Sequence, residues 1–170
     1  MNGDDSKLKF LRREFFTLAW GASVQHNPTY IESAIKVEID KFRDAMFLYL
    51  ADRIEPRYQQ KVAEDQHFSN LEALMEYAAG IGGNVLKDRR YKSANAQKLL
   101  NLYLKYLWCA GLVETPPHCP IDRIVLSIKR LPGNWTEMVT IEDYREKVSQ
   151  LQELVGGALA TWELESYSRR

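Results

Sequence analysis

Apolar residues recur at steps of three and four along most of the chain, which is the spacing of helices with one buried face. Stripes of this kind predict helices over about residues 6–20, 28–55, 69–79, 120–130 and 141–167. No segment alternates apolar and polar residues in the manner of a half-buried strand. The pattern therefore predicts an all-α fold, a single-domain multi-helix bundle of roughly six to eight helices.

One further helix, over about residues 94–110, is apolar on nearly every side. A helix of this kind belongs inside a fold, so we expect it to be the buried centre of the bundle. Its polar residues form one narrow line, Lys98, Asn101 and Lys105. That line faces either solvent, which is the simpler interpretation, or a cleft. In a cleft, Asn101 and Lys105 would line a pocket, and Lys98 would be an amine nucleophile or a phosphate contact.

Start and stop signals refine the bounds of these helices. Asn27 and Pro28 are the residue types of an N-cap and a first helical position, and Gly21 is a residue type that ends helices. Thr140 begins a loose form of the capping box at the start of the last helix. That helix carries an apolar seam over residues 141–162, which suits packing within a bundle or a homodimer interface.

Length and composition set the class of protein. We assign residues 1–170 to one domain and expect residues 1–5 and 168–170 to be disordered. The 23 basic and 23 acidic side chains cancel, so net charge does not favour general affinity for nucleic acid or for membranes. The N-terminus is no signal peptide, and the longest apolar run, over 45–51, is too short to cross a bilayer. We therefore expect a soluble, cytoplasmic protein with no membrane partner.

The charges are nevertheless unevenly distributed along the chain. Basic residues concentrate between positions 87 and 105, and acidic residues between 137 and 165. The candidates for contact with nucleic acid or another anion are Lys87, Arg89, Arg90, Lys92 and Lys98. Solvated helix faces account for the same residues without any ligand. The glycine-rich stretch that precedes them, Gly80–Gly83, has two interpretations: a hinge, or an anion site formed by exposed N–H groups. We expect the hinge, because the stretch lacks the ending of a phosphate-binding P-loop and follows a helix rather than a strand.

A proline-rich loop over residues 116–120 brings together the other candidates for chemistry, His118, Cys119 and Asp122. A cysteine and a histidine can act as nucleophile and base, or can bind a metal. No second cysteine or histidine pattern completes a metal site, so we expect no metal and no cofactor, and we expect Cys109 and Cys119 to be free thiols. The structural alternative is a rigid turn, with the helix starting at the last proline and Asp122 favouring its dipole.

Part of this region resembles a known family. The pair Gln97-Lys98 leads into an apolar helix, and the segment Pro120–Val125 follows after a loop; this arrangement, over about residues 97–125, resembles helix-hairpin-helix DNA glycosylases. The family's hairpin motif is absent, since Tyr91–Ala94 stands before Lys98. The resemblance implies that Asp122 is the catalytic carboxylate, that Lys98 is the amine, and that a base is excised from a flipped nucleotide.

Three functions follow from these observations. The first expectation is a non-enzymatic helical binding or interaction module, because the core pattern is strong and no catalytic set is complete. The first alternative is a protein that acts on nucleic acid with a glycosylase-like site at Asp122 and Lys98. The second alternative is a small-molecule-binding regulator or enzyme that uses the loop 116–122, with Asn101 beside it and a reactive Cys119.

Overall fold

The fold of the protein is all-α, as the periodicity predicts. The computed structural model describes residues 3–166, with side chains from Asp5 onward. In this range the α-helices are α1 (Gly3–Val24), α2 (Lys36–Tyr49), α3 (Glu64–Ile81), α4 (Ser93–Cys109), α5 (Arg123–Ile128), α6 (Ile141–Val155) and α7 (Leu159–Ser166). No strand occurs among the described residues, which hold one isolated bridge between Tyr30 and Leu86. Disorder was expected at 1–5 and 168–170; residues 3–5 instead begin α1, and the others lie outside the described residues.

Helix α4 lies at the centre of the structure. It packs along α1 and also contacts α3, α6 and the short 3-10 turn Trp135–Glu137. Twelve of its 17 residues are buried. Each leucine that is fully buried here contributes roughly 1.5–3 kcal/mol of transfer free energy, which makes α4 the main organiser of the core.

The start of the second helix differs from the prediction. Asn27 and Pro28 do not begin a helix; the Asn27 side chain is buried, and its Nδ2 donates to Asn95 Oδ1 at 3.0 Å. The preceding α1 runs through Gly21, and α2 begins only at Lys36. Local capping preference was overridden because the Asn27 amide is used in a tertiary contact.

Helix α2 does not end where the prediction ended it. It continues as a π-helical turn, Leu50–Ile54, and then as a 3-10 turn, Glu55–Gln59, which contains Pro56. Helix α3 is likewise longer than predicted and includes part of the expected glycine hinge. It ends before Gly82, where a Cβ atom would lie 2.5 Å from the Leu86 side chain, so the tight turn requires glycine.

The last predicted helix is divided into α6 and α7. Thr140 and Asp143 form the capping box at its start, as the sequence indicates. Gly156 then adopts the left-handed conformation, with φ of 67°, and ends α6. The first half of the seam, from Ile141 to Leu151, is buried within the chain itself. A homodimer through residues 141–162 stays a prediction.

No α-helix between residues 3 and 166 combines the length and the apolar character that crossing a lipid bilayer requires.

Candidate functional site

The proline-rich segment lies along α4 and is held there by two amide side chains. Gln97 Nε2 donates to the Ile121 carbonyl at 2.7 Å, and Gln97 Oε1 accepts from the Ile121 N–H at 2.9 Å. One turn further along α4, Asn101 Nδ2 donates to the Cys119 carbonyl at 3.0 Å. The two amides satisfy backbone groups that would otherwise be buried without partners. They therefore fix the register of the segment against the helix.

This register places Asp122 against Lys98. The distance from Lys98 Nζ to Asp122 Oδ2 is 2.5 Å, and the two side chains are only 9% and 23% exposed. The other oxygen, Asp122 Oδ1, accepts from the backbone N–H groups of Ile124 and Val125 at 2.9 and 3.0 Å. Asp122 is thus the N-cap of α5, so the expectation that the helix starts at Pro120 is wrong.

The indole of Trp135 covers the other side of the amine. Its ring centroid lies 5.8 Å from Lys98 Nζ, which is within the range of a cation–π contact. Lys98 therefore sits between a carboxylate and an aromatic face, largely shielded from water. Removing one partner of such an ion pair leaves a buried charge without compensation, at a cost of roughly 3–5 kcal/mol.

The polar line on α4, formed by Lys98, Asn101 and Lys105, was expected to face solvent. That expectation is wrong, because all three side chains are largely buried. Lys105 Nζ contacts Glu163 Oε2 of α7 at 2.6 Å, and those side chains are 12% and 7% exposed. Asn101 is fully buried. The line Lys98, Asn101 and Lys105 is thus a row of contacts that joins α4 to the 119–122 segment and to α7.

A buried hydrogen-bond chain extends from Asn101 to the surface. Asn101 Nδ2 donates to the Tyr144 hydroxyl at 2.9 Å, and that hydroxyl lies 2.9 Å from His118 Nδ1. His118 Nε2 lies 2.9 Å from Glu64 Oε1. Burial, aided by the nearby Arg145 cation, lowers the pKa of His118 to about 3, so its imidazole is neutral at pH 7.

Because the His118 imidazole is neutral, the donor and the acceptor of each hydrogen bond to it can be assigned. It has one donor and one acceptor nitrogen, and the Glu64 carboxylate can only accept. His118 Nε2 therefore donates to Glu64, and the Tyr144 hydroxyl donates to His118 Nδ1. The ring of His67 packs edge-on against His118 at 4.6 Å, and burial lowers the pKa of His67 well below its usual value.

Sequence reasoning missed Glu64, His67 and Tyr144. They come from α3 and α6, far from the proline loop along the chain, and no local motif marks them. Both ring nitrogens of His118 bond to Tyr144 and Glu64, so neither is paired with Cys119. His118 and Cys119 are adjacent in the sequence, but they have different contacts and do not form a nucleophile–base pair.

The geometry gives no support to a cysteine nucleophile. Cys119 is 1% exposed, and burial raises the pKa of its thiol to about 12, so the thiolate is disfavoured. Cys109 is exposed, and neither cysteine is in a disulfide. Among the described residues, no group of three or more histidine, cysteine or acidic side chains is arranged to hold a metal ion.

The basic stretch before α4 lies on the surface. Lys87, Arg89 and Arg90 are exposed and Lys92 is half-buried, and within residues 3–166 none of the four lies in an ion pair. Asp88 and Arg89 both adopt positive φ, at 55° and 52°, which turns the chain sharply here. Lys98 does not belong to this surface, because it is buried against Asp122.

Searches against family models, curated proteins and solved structures found no match to the chain.

Proposed function

We propose that this protein acts on DNA, with Lys98 as an amine nucleophile and Asp122 as its carboxylate partner, as the resemblance to helix-hairpin-helix glycosylases implies. The observation that carries the proposal is the contact between these two side chains. They are 24 residues apart along the chain. The resemblance identifies them as the amine and the carboxylate from the sequence alone, independently of the distance between the two side chains. The 2.5 Å contact between Lys98 Nζ and Asp122 Oδ2 supports that selection.

The pair has the chemistry for a Schiff-base mechanism. Asp122 accepts a proton from the Lys98 ammonium, which leaves a neutral amine able to attack the sugar at C1′. The Nζ–C1′ bond forms as the bond from C1′ to the base breaks, and the electron pair leaves with the base, which takes up a proton. The C1′–O4′ bond then opens, O4′ receives the remaining amine proton, and the adduct becomes an imine.

The shielding of Lys98 suits a covalent intermediate of this kind. The amine lies under Trp135 and beside Asp122, so bulk water has little access to it. Exclusion of water slows hydrolysis of an imine before the reaction is complete. The substrate atom that reaches such a site belongs to a nucleotide turned out of the base stack, because a paired base cannot approach a buried amine.

The surface next to α4 supports a nucleic-acid substrate. Lys87, Arg89, Arg90 and Lys92 carry positive charge without ion-pair partners among the described residues, on a chain whose total charge is zero. Local positive charge of this kind neutralises backbone phosphates and makes binding sensitive to salt.

We further propose a cytoplasmic location, which the two free cysteines support, since free thiols persist in reducing compartments.

Borohydride trapping on DNA that contains an abasic site tests the proposal. The aldehyde form of that site gives an imine with an amine nucleophile, and reduction makes the link permanent. Lys98→Arg is the decisive variant, because arginine keeps the ion pair with Asp122 but forms no imine. Lys105→Arg is the matched control, since Lys105 has an equivalent buried carboxylate partner in Glu163.

We expect a covalent adduct with the unmodified protein and with the Lys105 variant, and none with Lys98→Arg. An equal yield of adduct with Lys98→Arg, or no adduct with the unmodified protein, would overturn the proposal.

A second candidate function is a non-enzymatic interaction module. Exposed apolar side chains on α1 favour it: Phe10, Leu11 and Leu18 are 64%, 40% and 53% exposed. The homodimer through 141–162 belongs to this candidate, although Ile141–Leu151 packs inside the chain. Light scattering at tens of micromolar protein tests it, and a monomer would count against the dimer.

We do not propose a small-molecule site at Asn101 and Cys119, because both residues are buried.

A further inference from the structure

An open groove of about 470 Å³ lies between α3, the segment before α4 and the start of α6. Its volume is within the range of roughly 300–1,000 Å³ that is usual for ligand sites. Glu72, Met75 and Glu76 form one wall, and Arg90, Val139 and Ile141 form the other. None of these residues is among the pocket residues expected from the sequence. Arg90 is expected from the sequence only as a contact for an anion.

The groove has well-defined walls. Glu72, Met75 and Glu76 share one face of α3, because residues three and four apart are neighbours on a helix. The opposite wall is fixed by two backbone hydrogen bonds of 3.1 Å, from Ser93 N–H to the Val139 carbonyl and from Ala94 N–H to the Met138 carbonyl. Val139 is therefore held beside Ser93, the first residue of α4, which lies about 7.5 Å along the helix axis from Lys98.

The chemistry of the groove differs from one wall to the other. Met75, Val139 and Ile141 provide apolar surface, and Glu72 and Glu76 place two carboxylates on the α3 wall. Arg90 stands on the opposite wall and is not in an ion pair within the described part of the chain. Arg90 also belongs to the surface of unpaired cations, with Lys87, Arg89 and Lys92.

A nucleotide of a single strand matches this arrangement. Its base is planar and apolar on its faces, its phosphates are anionic, and an exocyclic amino group donates hydrogen bonds. The apolar surface suits the base, the carboxylates accept from the amino group, and the cations contact the phosphates. Four cations spread over six residues can serve more than one phosphate, which favours a strand over a free nucleotide.

We infer that this groove binds an unpaired nucleotide of a nucleic-acid strand and prefers a base that carries an exocyclic amino group. The inference rests on the proposed function only in taking nucleic acid as the partner, and it does not require Lys98 to be a nucleophile. Cytosine and thymine separate the two kinds of base well, because they are similar in size and only cytosine has an amino group.

Fluorescence anisotropy of labelled oligonucleotides of about 15 residues tests the inference, at about 50 mM salt with the full chain. We expect oligodeoxycytidine to bind roughly 10-fold more tightly than oligodeoxythymidine. The double variant Glu72→Gln, Glu76→Gln should bind both with equal affinity. The double variant Arg89→Glu, Arg90→Glu should lose at least 10-fold of its affinity for both, whereas Arg53→Glu, Lys61→Glu, which reverses two exposed charges outside the groove, should change binding less than 3-fold.

Equal binding of the two oligonucleotides by the unmodified protein would overturn the inference, and so would a preference that survives in the Glu72, Glu76 variant. Displacement of the strand by an equimolar amount of deoxycytidine monophosphate would overturn the assignment to a strand. Lys98→Arg should keep the preference for cytosine. That result together with a failed borohydride trap would refute the proposed function and leave the groove assignment standing.

Discussion

Gln97 holds Ile121 through both polar atoms of its amide, with its Nε2 on the Ile121 carbonyl and its Oε1 on the Ile121 N–H. Because Asp122 is the next residue, this pair of hydrogen bonds sets the position of the carboxylate beside Lys98. The site thus depends on a fully buried amide one residue before the lysine in the sequence.

We predict that Gln97→Leu lowers the free energy of unfolding by about 2–5 kcal/mol, because it leaves the buried N–H and carbonyl of Ile121 without partners. Urea unfolding followed by circular dichroism measures the change. Gln59→Leu, at an exposed position, is the control and should change stability by about 0.5 kcal/mol or less. If the two variants are equally stable, Gln97 does not hold the segment.

The ion pair leads us to expect that the effects of substituting Lys98 and Asp122 on the free energy of unfolding are not additive. Asp122→Asn keeps the acceptor for the Ile124 and Val125 N–H groups and removes the charge, so it isolates the electrostatic part. We expect Lys98→Met and Asp122→Asn each to cost about 3–5 kcal/mol. The double variant should be more stable than the sum of the two single changes implies, by at least about 1 kcal/mol. Additive changes would mean that the two charges do not interact.

Acid should destabilise the protein through His118. Its pKa of about 3 in the folded state lies below its ordinary value of 6.5, so the unfolded state binds the proton more readily between these values. Stability is therefore lost as the pH falls from about 6.5 towards 3, by an amount on the order of 4 kcal/mol from this histidine. His67, whose pKa is also lowered by burial, acts in the same direction.

Urea midpoints at several pH values between 7 and about 4 check this prediction. His118→Gln should weaken the dependence on pH more than the control variant His26→Gln does, which replaces a histidine at an exposed position. Equal dependence in both variants would contradict the assignment of the acid sensitivity to His118.

The break between α6 and α7 gives a test at a single glycine. Gly156 has φ of 67°, a conformation that alanine adopts only with strain, so Gly156→Ala should lower stability by about 1 kcal/mol. Gly157→Ala is the matched control, because Gly157 has no positive φ and nothing lies within 4 Å of its added Cβ. Thermal unfolding should rank the Gly156 variant below the Gly157 variant, and the reverse order would contradict the prediction.

The sequence was most informative where structure depends on near neighbours. Helical periodicity predicted the all-α fold, and the Thr140 capping box marked the start of α6 correctly. The same local reasoning failed at Asn27, whose amide bonds to Asn95, and at Gly21, which lies within α1. In both cases tertiary packing decided the structure, and a single sequence carries no direct signal for tertiary packing.

The candidate site shows the same division. Lys98 and Asp122 were identified as candidates from the resemblance, but nothing in their spacing of 24 residues measures how closely they approach. His118 was singled out for chemistry with Cys119, whereas its partners are Tyr144 and Glu64. Those partners lie on α6 and α3, and only the folded chain brings them to the proline loop.

Peptide mapping of the borohydride-reduced adduct with abasic-site DNA tests the central claim most directly, because it identifies the amine that reacted. The account predicts that mass spectrometry finds the DNA remnant on the peptide containing Lys98, at its ε-amine, and that Asp122→Asn lowers the yield by at least about 10-fold. Modification of the exposed Lys87 or the half-buried Lys92 instead, with Lys98 unmodified, would contradict it and would leave the Lys98–Asp122 pair as a structural contact.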